Sequence, residues 1–203
     1  MRALAVIVAL LPGLPAMAQD LPALFAVTGV APGDRLNLRA GPSATAEAVG
    51  ALAPGTAGVE VVETTPDGRW GRVNAGEGPA WVSMRYLVAE PGPDWHAMAR
   101  PLSCHGTEPF WSLAIPPDGG PLLLERMGEG SDSLTRTVTS PAFGRPRSVG
   151  MALDGPRGPG LAVIRAEACS DGMSDRVAGL SLQMFLGGAS GTESYLGCCS
   201  LAR

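Results

Sequence analysis

Leu36-Asn37-Leu38-Arg39-Ala40-Gly41-Pro42-Ser43 is the stretch on which the reading of the first half turns. Leu36 and Leu38 alternate with Asn37 and Arg39, the period-two pattern of a half-buried strand. Gly41-Pro42 then turns the chain out, because proline has no ladder N–H and fixes φ. A strand with one apolar face needs partners, and its neighbours supply them. Leu24 to Val30, Ala48 to Leu52, the β-branched run Val59 to Thr64, and Trp70 to Val73 with Trp81-Val82 all read as short strands. Turns are expected at Pro54-Gly55, at Pro66-Asp67-Gly68 and in the Gly-rich hairpin Asn74 to Pro79. No helical period runs long enough to support a helix. Residues 24–89 therefore form one small β domain.

Glu90-Pro91-Gly92-Pro93-Asp94 marks the boundary, and residues 90–100 are expected to be an extended Pro/Gly linker. Beyond it, residues 101–203 show a second set of strands: Phe110 to Ile115, Leu122 to Arg126, Leu134 to Thr139, Leu161 to Cys169, Leu180 to Leu186 and Tyr195 to Leu201. Gly155 to Gly160 reads as a loop, and Ser170 to Val177 is the one place for a short helical turn. The fold class is all-β, a small β domain followed by a disulfide-linked β-barrel or β-sandwich.

The order Leu36–Ser43, Trp70-Gly71-Arg72-Val73, Trp81-Val82-Ser83, Tyr86-Leu87 resembles the bacterial SH3-like domain (SH3b), a small barrel that decorates cell-envelope proteins. The resemblance implies a binding module. Two readings of its residues compete. In one, Leu36 and Leu38 are core, Gly41-Pro42 is a turn, Arg39 is solvated, and Trp81 sits inside by its apolar neighbours. In the other, Asn37, Arg39, Trp70, Trp81 and Tyr86 line a groove for a peptide or glycan, since aromatic rings bury area at little entropic cost.

Cys104-His105-Gly106-Thr107-Glu108-Pro109-Phe110-Trp111, Cys169-Ser170-Asp171-Gly172-Met173-Ser174-Asp175 and Gly197-Cys198-Cys199 together resemble a family of uncharacterised bacterial envelope proteins. Val177 stands where an aromatic often follows the second motif in such proteins. The resemblance informs the fold and brings no established activity. All four cysteines lie in this half, and an even count in an exported chain reads as disulfides. Of the three pairings, one contains an adjacent Cys198–Cys199 bridge, which needs strained geometry. Cys104 and Cys169 are thus each expected to pair with one member of the doublet.

Catalysis is not expected. The two histidines are His96 and His105, and none follows Cys169, Cys198 or Cys199 to activate a thiolate. Cys104 and His105, adjacent on a strand, point to opposite faces. No zinc-binding HExxH, GxSxG, P-loop or dinucleotide motif occurs. His105 and Glu108 read as surface residues beside a disulfide. Asp171 and Asp175 fit a calcium loop poorly, because Met173 takes the third place and no glycine the sixth. Asp171-Gly172 is better read as a turn, with Met173 plugging the barrel end. No metal, cofactor or catalytic residue is assigned.

Met1-Arg2, the apolar run Leu4 to Leu14 and Ala16-Met17-Ala18 make a secretory signal, with cleavage expected after Ala18. No cysteine near the cut suits a lipid anchor, and no later segment is long enough to span a membrane. The chain is thus expected to be periplasmic or secreted. All fifteen basic residues are arginine, and removal of Arg2 takes the net charge from −4 to about −5. Dispersed arginines on an acidic chain exclude a nucleic-acid footprint and a polybasic membrane patch.

The leading expectation is a non-catalytic envelope protein whose SH3b module binds cell-wall peptide or glycan, or an envelope protein. One rival is an inhibitor of a lysozyme-type hydrolase, acting through the loop Met173, Ser174, Asp175 and Arg176. The other is a small-molecule carrier with a cavity inside the second barrel.

Overall fold

The computed structural model describes residues 20–117, 119–141, 147–188 and 191–202; the predicted signal peptide lies outside them. Strand β1 (Ala23–Val27) is apolar at every position. Ala23, Phe25 and Val27 face the core of their own domain, whereas Leu24 packs into the core of the second. An unbroken apolar run in place of alternation is what a strand covered on both faces requires.

β1 pairs with β4 (Val59–Val61) and β8 (Leu87–Ala89) in a three-stranded sheet. A five-stranded sheet runs β3 (Ala48–Leu52), β2 (Leu36–Arg39), β7 (Gly78–Ser83), β6 (Trp70–Ala75) and β5 (Glu63–Thr64). The two sheets enclose Phe25, Leu36, Leu38, Val61, Val73 and Val82 among others. Val59 to Thr64, read as one strand, is divided at Val62 between the two sheets, so a single β-branched run serves both.

Trp81 corrects the interior reading. Ala80 and Val82 take the inward positions of β7, and Trp81 between them is half-buried on the outer face. Tyr86 lies in a 3-10 turn (Met84–Tyr86) that returns the chain to β8.

Residues 90–100 do not form an extended spacer. Arg100 donates to the Pro93 and Pro91 carbonyls at 2.7 and 3.0 Å and folds the connector back. A second 3-10 turn (Trp95–Ala97) buries Trp95, which joins Met98 in the core of the second domain.

That domain is a closed antiparallel barrel of eight strands in up-and-down order: β9 (Leu102–Thr107), β10 (Phe110–Ile115), β11 (Leu122–Arg126), β12 (Gly130–Pro141), β13 (Ser148–Gly155), β14 (Gly158–Cys169), β15 (Ala178–Gly188) and β16 (Gly191–Leu201). β16 returns to pair with β9. Closure leaves no edge exposed. Alternate residues of most strands fill the interior, among them Leu113, Leu124, Ile164, Leu182 and Met184, while β12 contributes the buried Leu134, as an eight-stranded barrel allows.

β13 was not among the expected strands, and β9 was implied only by setting Cys104 and His105 on a strand. β13 carries its inward residues (Val149, Met151, Leu153) between small or acidic ones, a weak strand signal. Gly155 to Gly160 is not a loop but the end of a tight hairpin, with Gly155 paired to Gly158 and only Pro156-Arg157 at the tip. Its glycines serve packing as well as the turn: a Cβ on Gly160 would stand 2.6 Å from the Phe185 carbonyl. Ser170 to Val177 contains no helix.

Both disulfides follow from strand alternation. Adjacent Cys198 and Cys199 point to opposite faces of β16. Cys199 turns inward and joins Cys104 across the β9–β16 seam; Cys198 joins Cys169 at the end of β14. The two links span 95 and 29 residues. In the chain-entropy model each contributes about 3–5 kcal/mol, the longer about 1 kcal/mol more. The double substitution C104A/C199A should therefore lower the urea midpoint more than C169A/C198A, measured by tryptophan fluorescence; the reverse order would show that the long loop is not what matters.

Candidate functional site

The five-stranded sheet collects most of the proposed groove residues. Register sets Arg39 opposite Trp81, and Trp81 opposite Arg72 of β6. Arg72 faces Glu63 of β5 and donates to its carboxylate at 2.9 Å. One row across the outer face thus reads Arg39, Trp81, Arg72, Glu63. Asn37 lies two residues from Arg39 on the same face and is exposed. Trp70, two residues from Arg72, is half-buried opposite Ser83.

Sequence reasoning passed over Arg72 and Glu63: Arg72 alternates with buried Gly71 and Val73 and so shares the aromatic face, whereas Glu63, two residues from buried Val61, is placed there only by its register with Arg72. Tyr86 does not join the row. It packs on the domain core, its ring beside Gly29 and beneath the Arg85 guanidinium at 5.6 Å.

The supports of this face are local. Arg39 Nη1 donates to the Ala46 carbonyl at 2.8 Å, which fixes its stem along the β2–β3 turn. Asp67 accepts from the Thr65 hydroxyl and from the Arg69 backbone N–H, bonds that hold its carboxyl down at about 2. Those bonds close the turn that delivers Trp70, whose N–H donates to Thr65 Oγ1.

In the second domain, the Met173, Ser174, Asp175, Arg176 segment is a pinned turn. Asp171 Oδ1 accepts from the Met173 and Ser174 N–H groups, each at 3.0 Å, an Asx-type closure that also lowers its pKa. His105 Nε2 lies 3.5 Å from Asp171 Oδ2, and Thr107 Oγ1 donates to the Asp171 carbonyl at 3.1 Å. With the Cys169–Cys198 link, these bonds fold the loop over the outer face of β9 and β16. Met173 is solvent-exposed and does not plug the barrel. Glu108 makes no pair with His105; Asp171 takes that place. Elsewhere Asp20, Asp94 and His96 bring ligand atoms within 4.8 Å of one another beside the connector.

The same loop joins the two domains. Asn74 Nδ2 donates to the Val177 carbonyl and Oδ1 accepts its N–H, both at 2.9 Å, so a side-chain amide acts as one rung of a sheet. Arg176 Nη1 donates to the Gly76 carbonyl at 2.6 Å. On the far side, Glu60 of β4 accepts from the Leu201 N–H at 2.9 Å. Burial pushes the Glu60 carboxyl up to about 7, against the opposing pull of Leu201, Ser200 and Arg176.

A family model described as a bacterial SH3 domain matches residues 34–88, which lie wholly in the first half. No curated protein and no solved structure matches the chain.

The raised Glu60 pKa makes the joint sensitive to pH. Between the ordinary value of 4.5 and about 7 the folded protein holds a proton that the unfolded chain has released. Stability from this group is complete below that window and falls as pH rises through it. Thermal unfolding should show a melting temperature that declines from pH 5 to pH 8, and E60Q should flatten the decline. An equal slope in both proteins would remove Glu60 as its source.

Proposed function

We propose, from the bacterial SH3 domain at residues 34–88, that this is a non-catalytic exported envelope protein that binds cell-wall peptide or glycan. The outer face of the five-stranded sheet is the binding surface. The observation that carries this reading is the row Arg39, Trp81, Arg72, with Trp70 and Asn37 on the same face. Core packing does not ask for tryptophan and arginine at these outward positions. Large amphipathic rings beside guanidinium donors are the groups that dominate binding at recognition surfaces.

The inhibitor reading asks Arg176 and Ser174 to reach a partner's carboxylates. Arg176 is instead bonded to Gly76, and the Ser174 hydroxyl lies 3.3 Å from both Asp171 oxygens. A carrier needs an enclosed cavity, and the barrel axis is filled by side chains. Neither alternative has an observation in its favour.

The test uses the full mature chain, because Leu24 and Glu60 tie the SH3-like half to the barrel. Purified peptidoglycan sacculi should retain it. W81A, an outward substitution, should cost about 2 kcal/mol of binding, roughly 30-fold in Kd, with an unchanged melting temperature. Retention of W81A and R39A equal to wild type would refute the surface. Mass spectrometry of the exported protein should find Gln19 as its first residue; an uncut N-terminus would contradict export by a cleaved signal.

A further inference from the structure

The connector between the halves gathers three ligand-type side chains that the sheet face does not use. Asp20 precedes β1, and Asp94 and His96 flank Trp95 at the second 3-10 turn. One carboxylate oxygen of each aspartate and an imidazole nitrogen of His96 lie within 4.8 Å of one another. Acidic groups gather on many protein surfaces without holding an ion, so proximity alone assigns nothing.

Two further observations set this cluster apart. His96 Nδ1 is buried, yet among the described residues it has no hydrogen-bond partner. Buried polar atoms are nearly always paired, so an orphaned ring nitrogen points to a partner of another kind. Asp20 Oδ2 stands 4.0 Å from it. That is too far for a hydrogen bond, and it leaves room for two bonds of about 2.0–2.1 Å to one ion between them. The second observation concerns Asp94, which occupies the N-cap of the turn, where an aspartate ordinarily accepts from a backbone N–H of the first turn. Its carboxylate makes no such bond here and is left for the cluster.

The framework behind the three side chains is fixed. Trp95 is buried in the barrel core and sets the turn. The His96 ring meets the Trp95 ring edge-on at 5.8 Å, which limits its rotation. Arg100 holds the Pro91 and Pro93 carbonyls just ahead of Asp94. Asp20 comes two residues before Pro22, which lies so close to Gly179 that a Cβ there would stand 2.8 Å from it. The Asp20 side chain is 61% exposed at the cleft between the halves, so an ion has a way in and the carboxylate can swing to meet it.

We infer that Asp20, Asp94 and His96 bind a borderline divalent transition-metal ion, of which zinc is the representative. An imidazole nitrogen with two carboxylates suits zinc and its neighbours, whereas calcium and magnesium take sets made almost wholly of oxygen. Two carboxylates balance the charge of the ion, and neutral His96 offers the Nδ1 lone pair. Three protein ligands leave one position of a tetrahedral ion to water. Asp20 stands ahead of the first strand of the SH3-like half, and Asp94 and His96 stand just after its last. The bound ion thus staples both ends of that half together beside the barrel.

The untagged full mature chain, stripped with EDTA, is titrated with zinc chloride by calorimetry and by the imidazole ring resonances in NMR. One zinc should bind per chain and shift the His96 ring saturably. D20N, D94N and H96Q should each weaken zinc at least about 10-fold, the loss that even a group one step removed from a metal costs. Asp20 and Asp94 are exposed, so D20N and D94N should melt with the metal-free wild type. H105Q, at the other histidine, should leave the affinity unchanged. W81A should do the same, which separates this site from sacculus retention. No binding at millimolar zinc, equal affinity for calcium, full affinity in D20N and D94N, or a loss in H105Q equal to that in H96Q would each overturn the assignment.

Discussion

Pairing of β16 with β9 is the constraint on which the second domain and much of the first depend. Without it the eight strands are an open meander with two exposed edges. With it, Cys104 and Cys199 meet inside the barrel. Gly106 and Gly197 come side by side to admit the Trp111 indole, and Leu201 ends where its N–H can reach Glu60. The adjacent cysteines use the alternation of one strand twice, once to lock the seam and once to hold the 170–177 loop outside it. A change in register by one residue would exchange these roles and turn the apolar interior outward.

The held loop is also the joint between the domains. Asn74 imitates a backbone partner for Val177, and Arg176 reaches the tip of the β6–β7 hairpin. Leu24 and Glu60, both on the outer face of the three-stranded sheet, press against the barrel from the other side. These contacts, with Trp95 and Met98 of the connector, make the halves lean on shared cores instead of swinging on a tether. A buried carboxyl in such a joint costs more ionised than protonated, which couples the association of the halves to pH.

Much of this architecture was legible from local patterns. Leu36–Arg39, Ala48–Leu52, Phe110–Ile115 and Leu122–Arg126 have the strand bounds that alternation and turn residues predict. The cysteine pairing scheme was limited by the strain of an adjacent bridge, and register then chose Cys199 for Cys104. The misreadings have a common cause. Trp81 was placed by the polarity of its neighbours, yet neighbours on a strand face the opposite way. Glycines from 155 to 160 signalled a loop because a sequence does not reveal the Phe185 carbonyl that excludes a side chain there. Trp95 stood in a Pro/Gly segment, and only a distant core explains its burial.

The sequence by itself determined the all-β class, the disulfide topology up to one choice, and the SH3-like character of the first half. Each rests on short-range chemistry: side-chain period, proline and glycine turns, and the geometry of neighbouring cysteines. Tertiary structure alone decided which tryptophans share a face, how the domains lock, and that Arg126 lies buried among the inward residues of the barrel with Asp132 beside it. Those facts depend on register and closure between strands far apart in the chain, where the partner of a residue is set by the whole sheet and not by its neighbours.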